Sequence, residues 1–183
     1  IGSCTNDPAT NKVTCKSNPK PGEVELEQMF IEWQYSPNHA LSAGQMILPV
    51  GFLNEVHEPD TFYGAKRNPI ETNIIPTTWW EGAIKASGQV AAVDGLRYDL
   101  MVSTGLKTAD ASIRASRQKG AKASAEDLAY TGRVRYVNGG LQTGLSYQHQ
   151  TDISQGTGAK NNAADLIEAH LAYNWQGLGL KAL

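Results

Sequence analysis

The fold is decided by residues 79–106, which read WWEGAIKASGQVAAVDGLRYDLMVSTGL. Apolar and polar side chains alternate along both halves of this stretch, for example Ile84 and Leu100 against Lys85 and Arg97. A period of two is the pattern of a strand with one apolar and one polar face. Asp94-Gly95 lies between the halves and can supply the positive φ angles of a tight turn. The stretch therefore predicts a β-hairpin.

Composition narrows the class of protein. The chain has 183 residues, of which 40% are apolar and 19% charged, with a net charge of −2. This balance is too apolar for a disordered tail and not basic enough for a nucleic-acid-binding domain. No apolar run reaches the roughly 18 residues that a transmembrane helix needs. We therefore expect a single all-β domain over residues 1–183.

The connections between the predicted strands alternate in length. Further alternating segments occupy residues 24–35, 40–50, 130–137 and 141–151, and two more follow at 167–175 and 178–183. Short turns fall at 36–39, 92–95, 138–140 and 176–177, and long loops at 1–22, 52–78, 108–129 and 152–163. Tight turns on one rim and long loops on the other are typical of an antiparallel up-and-down transmembrane β-barrel.

The aromatic side chains favour the same architecture. All four tryptophans fall at predicted strand ends: Trp33, Trp79, Trp80 and Trp175. Barrels carry aromatic girdles at the two membrane interfaces, whereas sandwiches bury tryptophan in mid-strand. Alternation alone does not say which face meets water. A secreted or periplasmic soluble β-sandwich that acts as a binding module is therefore the alternative.

The two cysteines lie close together near the start of the chain. Cys4 and Cys15 bracket a turn-rich segment, and no histidine that could complete a metal site lies nearby. A disulfide between them would close a short loop and would require an oxidising compartment. Two free thiols are the alternative interpretation.

One segment resembles a known family. Residues 44–52 form a Gly-Gln-x(3)-Pro-x-Gly-Phe run, which leads to Glu55 and to Arg67-Asn68-Pro69-Ile70-Glu71. Over about residues 23–106 the chain resembles the phosphate-selective porins O and P. The resemblance implies a trimeric barrel of 16 strands in the bacterial outer membrane, of which this chain holds about half. It also implies an ion-conducting channel for passive diffusion of small hydrophilic solutes, surrounded by outer-membrane lipid and lipopolysaccharide.

Charged residues suggest where such a channel would narrow. The proline-stiffened segment 52–78 is mainly acidic, and the polar faces of the following strands are basic. We expect the segment to dip into the lumen, so that opposite charges face each other and favour anions. The candidates are Glu55, Glu58, Asp60, Lys66, Arg67 and Glu71 on the loop, and Lys85, Arg97, Arg133 and Arg135 on the wall. Pairing within the wall, Arg97 with Asp99 and Lys85 with Glu81, is the simpler alternative.

The sequence gives little support to an enzyme. The four histidines are scattered, and none is spaced from another as zinc ligands are. Ser146 and His149 are close in sequence, but they fall on opposite faces of one predicted strand. We therefore expect no catalysis, no cofactor, no metal and no nucleic-acid partner.

Overall fold

The structure is a computed structural model that describes residues 25–58, 66–108, 113–120, 122–157 and 162–183, together with the backbones of Ser3–Asp7 and Lys12–Lys16. The two short segments form strands β1 (Ser3–Asp7) and β2 (Lys12–Lys16), which pair antiparallel. No helix within the described ranges is long and apolar enough to cross a membrane.

One antiparallel sheet of eight strands makes up the rest of the fold. The strands are β3 (Met29–Ser36), β4 (His39–Ile47), β5 (Trp80–Gln89), β6 (Leu96–Ser103), β7 (Ala129–Asn138), β8 (Leu141–Gln150), β9 (Ala164–Trp175) and β10 (Leu178–Ala182). Each strand pairs with the next one in the sequence, and β3 and β10 form the two open edges. A single π-helical turn, Ile70–Ile74, interrupts the loop between β4 and β5. The predicted all-β, up-and-down topology is confirmed.

Three of the four short turns contain residues with positive φ. Gln176 and Gly177 both have positive φ, 46° and 85°, as a two-residue hairpin turn of the primed type requires. Gly139 also has positive φ, 57°, whereas at the predicted Asp94-Gly95 turn only Gly95 does, 80°, because residues 90–95 form a six-residue connection rather than a tight two-residue turn. Because the sheet is a simple meander, all four short turns lie at one rim and the long connections at the other. The two rims are called the turn rim and the loop rim below.

Two local predictions need correction. The segment 1–22, expected to be only a loop, contains the hairpin of β1 and β2. The tryptophans do not all lie at an exposed girdle, because Trp79 and Trp80 are buried while Trp33 and Trp175 are exposed. Trp79 packs into an apolar cluster, and the Lys119 ammonium lies 4.9 Å from the centre of the Trp80 ring.

The two faces of the sheet are inverted relative to those of a soluble protein. On the apolar face Ile84, Leu100, Val134, Leu145 and Leu171 are 57%, 58%, 50%, 56% and 44% exposed. On the opposite, polar face Ser42, Asp99, Arg133, Ser146, Gln148 and Glu168 are all buried. Buried polar groups and an exposed contiguous apolar surface are the two observations that demand an explanation in any fold.

The main apolar cluster of the described residues is small and lies towards the loop rim. It consists of Met46, Leu48, Val50, Ile75, Trp79, Met101 and Leu106. Its members come from the ends of β4 and β6, from the loop that joins β4 to β5 and, for Leu106, from the connection after β6. This cluster therefore attaches the loop to the polar face of the sheet.

The register of β1 and β2 generates a prediction about the cysteines. Cys4 lies directly opposite Cys15 in the backbone ladder, although both side chains lie outside the described residues. We expect a disulfide here that stabilises the hairpin by roughly 2–4 kcal/mol. Intact mass before and after reduction should differ by two hydrogens. In the Cys4→Ser variant Cys15 should react with iodoacetamide without reductant, and the same reaction of both cysteines in the unaltered protein would contradict the prediction.

Candidate functional site

The loop between β4 and β5 folds back over the polar face of the sheet. Its base is closed by the buried amide of Asn54, which donates to the carbonyls of Leu48 and Trp79 at 2.8 and 2.9 Å. The same side chain accepts a hydrogen bond from the Trp79 backbone N–H at 2.7 Å. One asparagine thus joins the beginning and the end of the loop.

Arg133 on β7 is the centre of the charged contacts. Its guanidinium donates to Asp99 Oδ2 on β6 at 2.7 and 2.9 Å, and to the two oxygens of Glu55 in the loop at 2.6 and 3.1 Å. Arg135 lies farther away, 3.9 Å from Glu55. Charge-assisted, forked contacts of this kind are strong and directional. They hold the loop against the middle of the sheet.

The arginines also control the ionisation of Glu55. Burial favours the neutral acid, but the hydrogen bonds and charge of Arg133 outweigh it, assisted by Arg135 and Lys85. The pKa of Glu55 is therefore lower than its ordinary value, and the carboxylate is ionised at neutral pH.

A second contact fixes the loop to β9. Glu168 accepts hydrogen bonds from the Gly51 backbone N–H at 3.3 Å and from the Ser146 hydroxyl at 3.0 Å. Its other oxygen lies 2.7 Å from Nδ1 of His170. The His170 ring packs against the Phe52 ring, with 4.3 Å between centroids. The loop is thus anchored at two points, to β7 and to β9.

Glutamine side chains order the two other long connections. Gln118 donates to the carbonyls of Thr104, Gly105 and Ser124, and Gln155 donates to those of Thr104, Leu106 and Asp127. Gln150 exchanges hydrogen bonds with the backbone of Leu106. Because each amide has both donors and acceptors, it can replace missing backbone partners in irregular loops.

Two further groups fix the loop rim. Arg114 and Arg117 donate to backbone carbonyls of Thr72, Pro76, Thr77 and Thr78. Burial and the nearby charge of Arg114 lower the pKa of Arg117. Asp152 accepts hydrogen bonds from Ser154, Asn162 and Gly156, which lower its pKa to about 2. None of these residues stood out in the sequence, because no periodic pattern or motif marks them.

The structure places the predicted site residues on the polar face of the sheet, at exposed positions of the loop, or in contacts within the loop itself. Glu55, Arg133, Arg135 and Lys85 come together on the polar face, as the contacts and charge effects above describe. The Arg97 side chain lies on the same face and makes no hydrogen bond or ion pair with any described residue. Glu58 and Lys66 are exposed on the loop, and Asp60 lies outside the described residues.

Glu71 and Arg67 have roles within the loop itself. Glu71 is buried and accepts hydrogen bonds from the backbone N–H groups of Phe52 and Leu53, both at 2.6 Å. Arg67 donates to the carbonyls of His57 and Thr77. Contrary to expectation, Glu71 therefore does not face Arg133 and Arg135. Its carboxylate instead accepts hydrogen bonds from backbone N–H groups at the turn that begins the loop.

The pairings within the wall also differ from the simple alternative. Asp99 binds Arg133 across to the next strand rather than Arg97 on its own strand. Glu81 accepts from Trp79, Thr104 and the backbone of Gln118 rather than from Lys85. Ser146 and His149 are likewise separated, because Ser146 contacts Glu168 and His149 contacts Asp165 on the other face.

Comparison with known proteins adds one relative. No family model matches the chain, and no solved structure matches it. A protein of Aquifex aeolicus (strain VF5), described as an uncharacterized protein, is 34% identical over 165 residues. The match covers 85% of this chain and 36% of the relative, so the chain spans little more than a third of that protein's length.

The contacts of Glu168 and His170 on β9 with the loop generate a stability prediction. A Cβ at Gly144 would lie 2.4 Å from the His170 ring, whereas a Cβ at Gly132 would lie 3.7 Å from Leu100. We expect Gly144→Ala to displace His170 from Glu168 and Phe52 and to destabilise the fold by about 1–3 kcal/mol, as overpacking does. Gly132→Ala, the same change in the next strand, should have little effect. Equal free energies of unfolding for the two variants in urea would refute this assignment.

Proposed function

We propose that the chain is part of an outer-membrane β-barrel channel for passive diffusion of small hydrophilic solutes. The observation that carries the proposal is the inversion of the sheet, with its apolar face exposed and its charged face covered by a loop. A lipid bilayer is the environment in which an exposed band of Leu, Ile, Val and aromatic side chains is stable. Outer-membrane lipid and lipopolysaccharide are the corresponding partners.

The two unpaired edges of the sheet are the reason for proposing a closed barrel. Strands β3 and β10 have unpaired edges in the described sheet. Open edges are not tolerated in hydrocarbon, where backbone N–H and C=O groups have no water to bind. We infer that further strands close the sheet, and the resemblance of residues 44–52 favours a complete barrel of 16 strands in a homotrimer.

In the proposed channel the loop between β4 and β5 forms the constriction. Glu55 would fix the loop to Arg133 there, and the positive charges of Arg135 and Lys85 would lie beside the path of the solute. Arg97 and Arg135 add positive charge that is only partly balanced, which gives a moderate preference for anions. The Asp99–Arg133–Glu55 contacts would keep the loop in place while solutes pass.

The competing function is a soluble β-sandwich that acts as a binding module. It would require a second sheet to cover the apolar face, and the described residues contain only the hairpin of β1 and β2 besides the main sheet. Reconstitution of the full-length protein into planar bilayers separates the two functions. Stepwise, voltage-driven conductance is expected of a channel, and its absence together with a water-soluble monomer would favour the sandwich.

Ion selectivity tests the constriction. Glu55→Gln removes the negative charge that faces the arginines, so the reversal potential in a KCl gradient should move toward the chloride equilibrium potential. Glu126→Gln, which removes the same charge from an exposed loop position, is the matched control and should leave the potential unchanged. If both variants keep the reversal potential and conductance of the unaltered channel, Glu55 does not lie at the constriction.

A further inference from the structure

A charged depression lies on the polar face towards the turn rim, beyond the Glu55–Arg133 contact. It has a volume of about 280 Å³, and its charged lining consists of Glu32, Arg97, Asp99 and Arg135. The other polar residues that line it are Gln34, Asn38, His39, Ser87, Gln89 and Tyr98. The depression is therefore large enough for a small solute and rich in groups that bind charge.

The basic side of the depression has donors that the described residues leave unused. Arg97 makes no hydrogen bond or ion pair with any of them. Arg135 lies directly opposite Arg97 in the β-ladder between β6 and β7. Its Nε is buried and has no hydrogen-bond partner among the described residues. The exposed Arg97 guanidinium therefore presents free donors in the fork geometry that a carboxylate fits, with the positive charge of Arg135 beside it.

The acidic side has unused acceptors. Glu32 accepts a hydrogen bond from Ser42 through Oε2, and no described residue donates to its Oε1. Asp99 uses Oδ2 for both contacts with Arg133, and within the described ranges its Oδ1 receives no hydrogen bond. An ammonium group can satisfy such oxygens because it carries three donors.

The two sides face each other across the depression. Glu32 is on β3 and Arg97 is on β6, so their backbones are three strand spacings apart across the sheet and four residues apart along it, or roughly 20 Å. Asp99 lies closer to Arg97, two residues away on the same strand, and all three residues line the same depression. A simple anion would meet the carboxylates, and a simple cation would meet the guanidinium groups.

We propose that this depression binds small zwitterionic solutes of the amino-acid class. The carboxylate would bind between Arg97 and Arg135, and the ammonium would point toward Asp99 and Glu32. The inference rests on the proposed channel, since it names a solute class that would pass the constriction and pause beyond it. It identifies a substrate class by complementarity of both charges rather than by net charge.

Ligand-observed NMR on the full-length protein in detergent tests the site directly. The probes are 4-aminobutyrate, butyrate and butylammonium, which have four carbons each and carry both charged groups, only the carboxylate and only the ammonium, respectively. We expect the Kd of 4-aminobutyrate to be lower than that of either singly charged probe by about five-fold or more, as two charge-assisted contacts allow. Equal values for the three probes would overturn the proposal.

Two variants assign the ends of the zwitterion. Arg97→Gln should raise the Kd of 4-aminobutyrate to that of butylammonium, and Glu32→Gln should raise it to that of butyrate. Lys107→Gln and Glu126→Gln remove the same charges elsewhere and should leave the preference intact. If these controls weaken binding as much, the effect comes from net charge and the site is refuted.

The binding measurement and the conductance measurement test the site and the channel separately. Zwitterion preference without bilayer conductance would keep the site and overturn the channel. Conductance without zwitterion preference in the unaltered protein would keep the channel and overturn the site. The probe series needs no variant, so the proposal stays falsifiable even if a substitution prevents folding.

Discussion

The buried guanidinium of Arg133 is the interaction on which the arrangement of the polar face depends. It lies between Asp99 on the neighbouring strand and Glu55 on the loop, so it joins two strands to a segment nearly 80 residues earlier in the chain. The pair with Asp99 is buried, and removing one partner of such a pair typically costs about 3–5 kcal/mol; the pair with Glu55, whose side chain is 36% exposed, contributes less. The loop therefore has one favourable position, and the charges of Glu55 and its basic neighbours are held in that position.

The inversion of the two faces follows from the same contacts. A face that carries Arg133, Glu168 and His170 can be buried only if each polar group has a partner. The loop supplies two of these partners, because Glu55 pairs with Arg133 and the Gly51 N–H donates to Glu168, which also contacts His170. The apolar face has no such cover within the described residues. A soluble fold would place the faces the other way round, so the exposed leucines on one face and the buried Arg133 on the other are the reason for proposing a lipid-facing wall.

Much of the fold could be predicted from the sequence, because strands and turns depend on local patterns. Alternation in residues 79–106 and the turn at Gln176-Gly177 each predicted the structure that is found. The partners of the charged side chains could not be predicted, because register and loop path decide whether Asp99 meets Arg97 or Arg133. The role of Glu71 could not be predicted either. No sequence pattern indicates that its carboxylate accepts hydrogen bonds from the backbone N–H groups of Phe52 and Leu53.

The central claim is that the two faces of the sheet meet lipid and water respectively. Spin labels placed one at a time along residues 142–149 of β8, in the full-length protein with both cysteines replaced by serine and reconstituted in bilayers, test it most directly. Accessibility to oxygen should peak at Leu145 and Tyr147, and a water-soluble nickel complex should be excluded from these same two positions. If both probes rise and fall together along the strand, the sheet has no lipid-facing side and the account is wrong.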